Sequence, residues 1–176
     1  WEEYKMILTD YFRSDHDAAW DIAVSSGVRH GVIRLPEGKA FDYGSRAHWD
    51  ALVQKFTDFG VTPVAIEPMP NELHDHIKAG DSMRDESIEK VMKMFPIMRD
   101  LGIETICFNW MAHVGWTRTS SFYPERGGAL VTEFNMDNFT PTSAKITAKE
   151  LWANYEYFIR AVILEAEKYS IKLALH

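Results

Sequence analysis

The chain has 176 residues, of which 46% are hydrophobic and 13% aromatic, enough for one domain with a substantial core. Its net charge of -7 argues against nucleic acid or an anionic membrane as a partner bound through a basic surface, and no run reaches the ~18 apolar residues needed to cross a bilayer. The single cysteine excludes an internal disulfide framework and fits a reducing compartment, so a cytoplasmic location is expected.

The N-terminal part of the chain predicts a strand, a helix and a second strand. Residues 4–8 are apolar enough for the first strand. Asp15 or Asp17 is the expected cap of a helix that extends to about Ser25. Residues 28–35 then form the second strand, with an apolar centre.

The middle of the chain repeats this order. A helix is predicted over residues 45–59, because its apolar residues recur at helical spacing and share one face: Trp49, Leu52, Val53 and Phe56. The third strand follows at residues 62–67. After it, the sequence predicts a long polar loop that runs through Asp81 to Arg84.

The last part of the chain contributes two more helix and strand pairs. A helix is predicted over residues 85–101, followed by the fourth strand at residues 103–108. A long loop, residues 111–146, precedes a helix over residues 148–169 and the fifth strand at residues 171–175.

Alternation of strands and helices, with short helix-to-strand turns, predicts an α/β fold with a parallel sheet. Five strands and four helices fit either a doubly wound sheet or part of a (β/α)₈ TIM-type barrel. A complete barrel takes about 250 residues, more than this chain has. The chain is therefore expected to form a single domain over residues 1–176 that cannot close a whole barrel.

The residues directly after the fourth strand predict a ligand site. The apolar run ends in Asn109, Trp110, His113, Trp116 and Arg118, which combine amide, aromatic, imidazole and guanidinium groups. In parallel α/β folds, ligands bind beyond the carboxyl ends of the strands. The alternative is an ordinary surface loop, in which two tryptophans and an arginine would be unusual.

Polar residues follow the other predicted strands as well: Asp10, Tyr11, Arg13, Arg34, Glu67, His74, His76 and His176. Arginine binds carboxylates in a bidentate manner, and carboxylates and amides bind hydroxyl groups. The set therefore favours an anionic, hydroxyl-rich substrate such as a sugar acid. Structural alternatives are a surface ion pair for Arg118 and a structural pair with a barrel cation for Glu67.

Four segments resemble the mannonate dehydratase family. Residues 107–111 read Cys-Phe-Asn-Trp-Met, where the family has Cys-Tyr-Asn-Phe-Met, and residues 116–119 read Trp-Thr-Arg-Thr, as in the family. Residues 67–78 resemble the family segment that begins Glu-Ser-(Ile/Val)-Pro and continues His-Glu-Asp-Ile-Lys. Residues 173–176, Leu-Ala-Leu-His, resemble a family strand that ends in histidine.

The resemblance implies the N-terminal part of a xylose-isomerase-like TIM barrel and a hydro-lyase of carbohydrate metabolism, in glucuronate catabolism. Such an enzyme converts D-mannonate to 2-keto-3-deoxy-D-gluconate and water. The resemblance also implies a divalent metal, Mn²⁺ or alternatively Fe²⁺, with His176 as one ligand. Substrate contacts are expected from five residues: Glu67, His74, Asn109, Trp116 and Arg118.

The remaining metal ligands and the acid/base residues of the family are expected beyond residue 176. The isolated 176-residue chain is therefore expected to bind no metal tightly and to be inactive. By analogy with similar barrels, a homo-oligomer is expected.

Departures from the family pattern leave two alternatives open. Gly115 stands where the family has aspartate before Trp-Thr-Arg-Thr, and residues 110–112 read Trp-Met-Ala in place of Phe-Met-Pro. These changes affect the expected substrate more than the expected fold. The first alternative is a xylose-isomerase-like sugar isomerase or epimerase, and the second is a catalytically inactive half-barrel that serves as a binding or assembly module.

Overall fold

The structure is a computed structural model that describes residues 6–176. It contains seven strands: β1 Thr9–Phe12, β2 His30–Ile33, β3 Thr62–Ile66, β4 Thr105–Phe108, β5 Ser120–Pro124, β6 Leu130–Glu133 and β7 Lys172–Leu175. It contains five α-helices: α1 Ala18–Ser25, α2 Arg46–Asp58, α3 Asn71–Ala79, α4 Arg84–Asp100 and α5 Ala148–Lys168. None of the helices in this part of the chain is long and apolar enough to span a membrane.

Five of the strands form one parallel sheet in the order β1-β2-β3-β4-β7. Within this sheet, neighbouring strands follow one another in chain order, with helices between them. The strand order never reverses. A doubly wound sheet reverses its strand order at a switch point, whereas a barrel adds its strands in sequence. The topology therefore favours the barrel alternative.

Local sequence signals position the helices that connect these strands. The Asp17 side chain accepts a hydrogen bond from the Ala19 backbone at 2.9 Å and caps α1. Thr147 and Glu150 form a reciprocal capping box at the start of α5. Such caps satisfy backbone N–H groups that the first helical turn leaves unpaired, and they place the helix starts where the sequence predicts them.

The core consists mainly of large aromatic and aliphatic side chains between the sheet and the helices. The Trp20 ring stacks on Phe56 with centroids 4.4 Å apart, which joins α1 to α2. Towards the other end of the sheet, Phe108 of β4 packs edge-on against Phe158 of α5, with ring centroids 5.6 Å apart. Trp110 also stacks on Phe158, and its indole N–H donates to the Leu151 carbonyl at 3.0 Å. These contacts hold the carboxyl end of β4 against α5.

Three sequence predictions differ from the structure. The first strand lies at Thr9–Phe12, so of the predicted residues 4–8 the last three are irregular and the first two lie outside the described residues. The predicted polar loop after β3 contains the nine-residue helix α3, which gives five helices instead of four. The loop after β4 contains the antiparallel hairpin β5–β6. Helix α3 is difficult to predict because it is short and has no capping side chain at its N-terminus.

Gly31 in β2 marks a close approach between the sheet and the core. A Cβ atom at this position would lie 2.9 Å from Val61 Cγ1 and 3.0 Å from Phe12 Cδ2. We expect Gly31→Ala to lower the free energy of unfolding by about 1–3 kcal/mol through overpacking. Denaturant titration measures this change.

Gly44 provides the matched control for this substitution. A Cβ atom there would meet nothing closer than 3.5 Å, at Asp42 Oδ1. Gly44→Ala is therefore expected to leave stability nearly unchanged. Equal stabilities of the two variants would contradict the packing argument.

Candidate active site

A cavity of about 630 Å³ opens at the carboxyl ends of the parallel strands. Each of the five strands contributes a lining residue from its end or from the position just past it: Tyr11, Arg34, Glu67, Asn109 and His176. Its volume is within the range of ligand pockets. This edge of a parallel sheet is where ligands bind, as the sequence analysis expected.

Glu67, Trp116 and His176 lie together at this cavity. Glu67 Oε1 is 3.4 Å from His176 Nδ1, and the Trp116 and His176 ring centroids are 5.8 Å apart. The His176 backbone N–H donates to the Phe108 carbonyl at 2.8 Å, which extends the β4–β7 pairing to the cavity. The structure thus places an imidazole, a carboxylate and an indole side by side.

Asn109 occupies the start of the loop after β4 and also lines the cavity. Its Oδ1 atom accepts a hydrogen bond from the Met111 backbone at 3.2 Å and one from Lys78 Nζ at 3.4 Å. The amide is therefore held in a fixed orientation, which makes it suitable for hydrogen bonding to a polyhydroxyl ligand.

Arg118 lies outside the cavity lining. Its guanidinium donates to the Thr117 carbonyl at 2.9 Å and to Thr132 Oγ1 of β6 at 3.4 Å. These bonds hold Arg118 against the β5–β6 hairpin. The structure does not bring it to the other expected site residues, and its substrate contact stays a prediction.

His74 is completely buried rather than at the rim of the cavity. Its ring packs against Phe108 and Trp110 at centroid distances of 5.9 and 5.7 Å. Neither ring nitrogen has a hydrogen-bond partner within residues 6–176. Burial, together with the smaller effect of the positive charge of Lys78, lowers the pKa of His74 to about 3. The neutral ring packs against Phe108, which lines the cavity, and its substrate contact stays a prediction.

Sequence reasoning missed three cavity residues that α3 supplies: Asn71, Asp75 and Lys78. Because the segment was interpreted as a loop, these side chains were not expected at the strand ends. The signal that could have found them is the spacing of Leu73 and Ile77, four residues apart and both buried.

Cys107 also lines the cavity, where it is half-buried. Burial raises the pKa of the Cys107 thiol, and the nearby carboxylate of Glu67 raises it further. A thiol with a raised pKa is a poor nucleophile at neutral pH. Cys107 is therefore better suited to a structural role than to nucleophilic catalysis.

The cavity contains side chains of the kinds that can bind a metal ion. Within residues 6–176 no group of three or more His, Cys, Asp and Glu side chains converges. His176 nevertheless offers one imidazole nitrogen, a donor that Mn²⁺ and Fe²⁺ accept, and Glu67 lies beside its other ring nitrogen, Nδ1. A site of this kind needs further ligands, so the residues present fit part of it.

Comparison with known sequences relates this chain to mannonate dehydratases. The sequence model of the family described as D-mannonate dehydratase (UxuA) matches residues 20–145. A curated mannonate dehydratase of Streptococcus agalactiae is 28% identical over 88% of this chain and 51% of the relative. One of Streptococcus pneumoniae is 26% identical over 85% of this chain and 47% of the relative. The chain spans about half the length of the curated relatives it matches.

Comparison with solved structures identifies the fold. The crystal structure of mannonate dehydratase from Streptococcus suis serotype 2 matches with a TM-score of 0.79 and 23% identity, over 98% of this chain and 53% of the other. A crystal structure of D-psicose 3-epimerase matches with a TM-score of 0.54 and 14% identity, over 96% and 51%. At these identities the likeness shows the fold alone. It confirms the predicted fold class, part of a (β/α)₈ TIM-type barrel.

Proposed function

The chain belongs to the D-mannonate dehydratase (UxuA) family, and from this membership we propose that the protein removes water from D-mannonate to give 2-keto-3-deoxy-D-gluconate. The family match over residues 20–145 carries the proposal. The cavity at the strand ends supports it, because several of the residues expected from the resemblance line that cavity: Glu67, Asn109, Trp116 and His176.

The chemistry of the reaction explains which side chains it needs. Loss of water from a 2,3-dihydroxy acid takes a proton from C2 and the hydroxyl from C3, and the resulting enol tautomerises to the 2-keto acid. Negative charge develops next to the carboxylate during proton removal, so groups that stabilise this charge accelerate the reaction. A divalent metal, when bound, supplies that stabilisation as a Lewis acid.

The cavity residues take roles that suit this reaction. Asn109 and Glu67 hydrogen-bond substrate hydroxyls, and the Trp116 indole packs against the C–H face of the sugar chain. His176 is one ligand of the metal, proposed to be Mn²⁺ with Fe²⁺ as the alternative. Glu67, 3.4 Å from His176 Nδ1, orients the imidazole, as carboxylates beside metal-ligating histidines do. The proposal includes a cytoplasmic location and a homo-oligomeric protein.

An assay of the protein produced from its complete reading frame tests the proposal. D-Mannonate is incubated with the protein and Mn²⁺ or Fe²⁺, and the 2-keto-3-deoxy acid is followed by NMR. We expect this product to form only with added metal, and we expect a chelator to stop its formation. If no product forms with Mn²⁺ and none forms with Fe²⁺, the proposal is contradicted.

The epimerase alternative gives a different result in the same experiment. The fold likeness to D-psicose 3-epimerase is the observation that favours it. An epimerase would interconvert ketohexoses such as D-fructose and D-psicose without loss of water. Interconversion of these sugars without any product from D-mannonate would replace the dehydratase proposal with this one.

A further inference from the structure

Lys78 is a buried cation at the edge of the cavity, and nothing in the proposed function uses it. The residue is only 3% exposed, although it lies in the last turn of α3 next to an open pocket that it helps to line. Lysine is almost never fully buried unless its ammonium group is paired, and the partner of Lys78 is the largely exposed Asp75. We propose that Lys78 binds the carboxylate of the sugar acid, an inference that rests on the proposed function.

The hydrogen-bond partners of Lys78 leave capacity for a ligand. Nζ lies 2.8 Å from Asp75 Oδ1 and 3.4 Å from Asn109 Oδ1. The Asp75 side chain is 65% exposed, so solvent screens the charge that it presents to Lys78. An ammonium group has three N–H donors. Within residues 6–176 two of them have partners, one at the limit of hydrogen-bonding distance.

The end of α3 is fixed in place, which orients Lys78 in advance. The Lys78 carbonyl accepts a hydrogen bond from Asn154 Nδ2 of α5 at 2.9 Å. Gly80, with φ of +68°, packs so closely on Asn154 that a Cβ atom would lie 2.5 Å from its Oδ1 atom. A cation held in position before binding loses little entropy when it contacts a ligand.

Two arginines are the competing candidates for the carboxylate, and the structure favours Lys78 over both. Arg118 lies outside the cavity lining. Arg34 lines the cavity, but its side chain is 40% exposed and its guanidinium donates to Glu37 at 2.8 Å. The Lys78 side chain is 4% exposed. Each cation is paired with one carboxylate at 2.8 Å, so exposure to water separates them. A cation shielded from water attracts an anion more strongly than one that water screens.

The test compares ligands that differ at one end. D-Mannonate carries a carboxylate, and D-mannitol is the neutral hexitol of the same length. Calorimetry measures both affinities on the protein from the complete reading frame, without added metal so that D-mannonate is not consumed. We expect D-mannonate to bind at least about tenfold more tightly than D-mannitol, as for a charge-assisted hydrogen bond. Equal affinities for the two ligands, or undetectable binding of D-mannonate, would overturn the proposal.

Substitution assigns this preference to one side chain. We expect Lys78→Met to weaken D-mannonate binding by about tenfold to hundredfold and to leave D-mannitol binding unchanged. Lys90→Met is the control, because Lys90 is a half-exposed lysine of α4 that is paired with Glu86 and does not line the cavity. If Lys78→Met does not fold, Lys78→Gln replaces it. A folded Lys78 variant that keeps the D-mannonate preference would overturn the proposal.

The outcomes separate this inference from the proposed function. D-Mannonate binding that depends on Lys78, without formation of the 2-keto-3-deoxy acid, would contradict the dehydratase activity alone. Product formation with a KM that Lys78→Met leaves unchanged would contradict the role of Lys78 alone. With both proposals correct, Lys78→Met raises KM in the metal-activated enzyme.

Discussion

Replacement of His176 by alanine is expected to lower kcat/KM for metal-activated dehydration of D-mannonate by about hundredfold or more. The reason is that the imidazole lies in the cavity beside Glu67 and is the proposed metal ligand. Loss of a group that merely supports a metal ligand costs about 10- to 100-fold, so loss of a ligand itself costs at least as much. Initial rates at several Mn²⁺ concentrations measure the effect, which added metal should partly restore.

His76 offers a matched control for this substitution. It is a half-exposed histidine of α3 whose Nδ1 lies 2.7 Å from Asp81 Oδ2, and it does not line the cavity. His76→Ala is expected to leave kcat/KM essentially unchanged. Full activity of His176→Ala, with the same dependence on Mn²⁺ as the unsubstituted protein, would contradict the metal-ligand role.

Acidification is expected to destabilise the protein through His74. The pKa of His74 is about 3 in the folded protein against an ordinary value of 6.5, because burial disfavours the charged ring. Below pH 6.5 the unfolded chain therefore binds a proton that the folded protein excludes until about pH 3. Stability falls across this window by up to about 1.4 kcal/mol per pH unit, or about 2–3 kcal/mol between pH 6.5 and 4.5.

A substitution isolates this contribution from other titrating groups. His74→Leu removes the titrating ring, and neither ring nitrogen has a hydrogen bond to lose within the described residues. Denaturant titrations at several pH values should show a shallower loss of stability for His74→Leu than for the unsubstituted protein. His113→Asn serves as the control, since His113 is exposed, and asparagine tolerates its φ of +62°. Equal slopes for His74→Leu and the unsubstituted protein would contradict the argument.

Most of the fold could be predicted because its signals are local. The apolar face of α2, with Trp49, Leu52 and Phe56 buried, follows the helical spacing in the sequence. Asp17 and Thr147 cap helices where hydrogen-bonding side chains precede apolar runs. Helix α3 escaped notice because it is short and its N-cap position is Pro70, which offers no side-chain hydrogen bond. The choice between a barrel and a doubly wound sheet depended on strand order, which local patterns do not specify.

The site could be predicted only in part because the position of a residue in the sequence does not determine where its side chain points. Residues that follow a strand at once, such as Glu67, Asn109 and His176, face the cavity because strand ends converge there. Arg118 is farther along the loop, where its guanidinium donates a hydrogen bond to Thr132 of the β5–β6 hairpin. His74 belongs to a helix face that packs on Phe108, so its ring is buried. Both outcomes depend on tertiary contacts that no short motif records.

A crystal structure of the protein with D-mannonate and Mn²⁺ tests the central claim most directly, namely that the cavity at the strand ends binds a sugar acid. We predict D-mannonate in this cavity, with its hydroxyls near Asn109, its C–H face against Trp116 and the metal on His176. D-Mannonate bound elsewhere, with the cavity free of ligand and metal, would contradict the account.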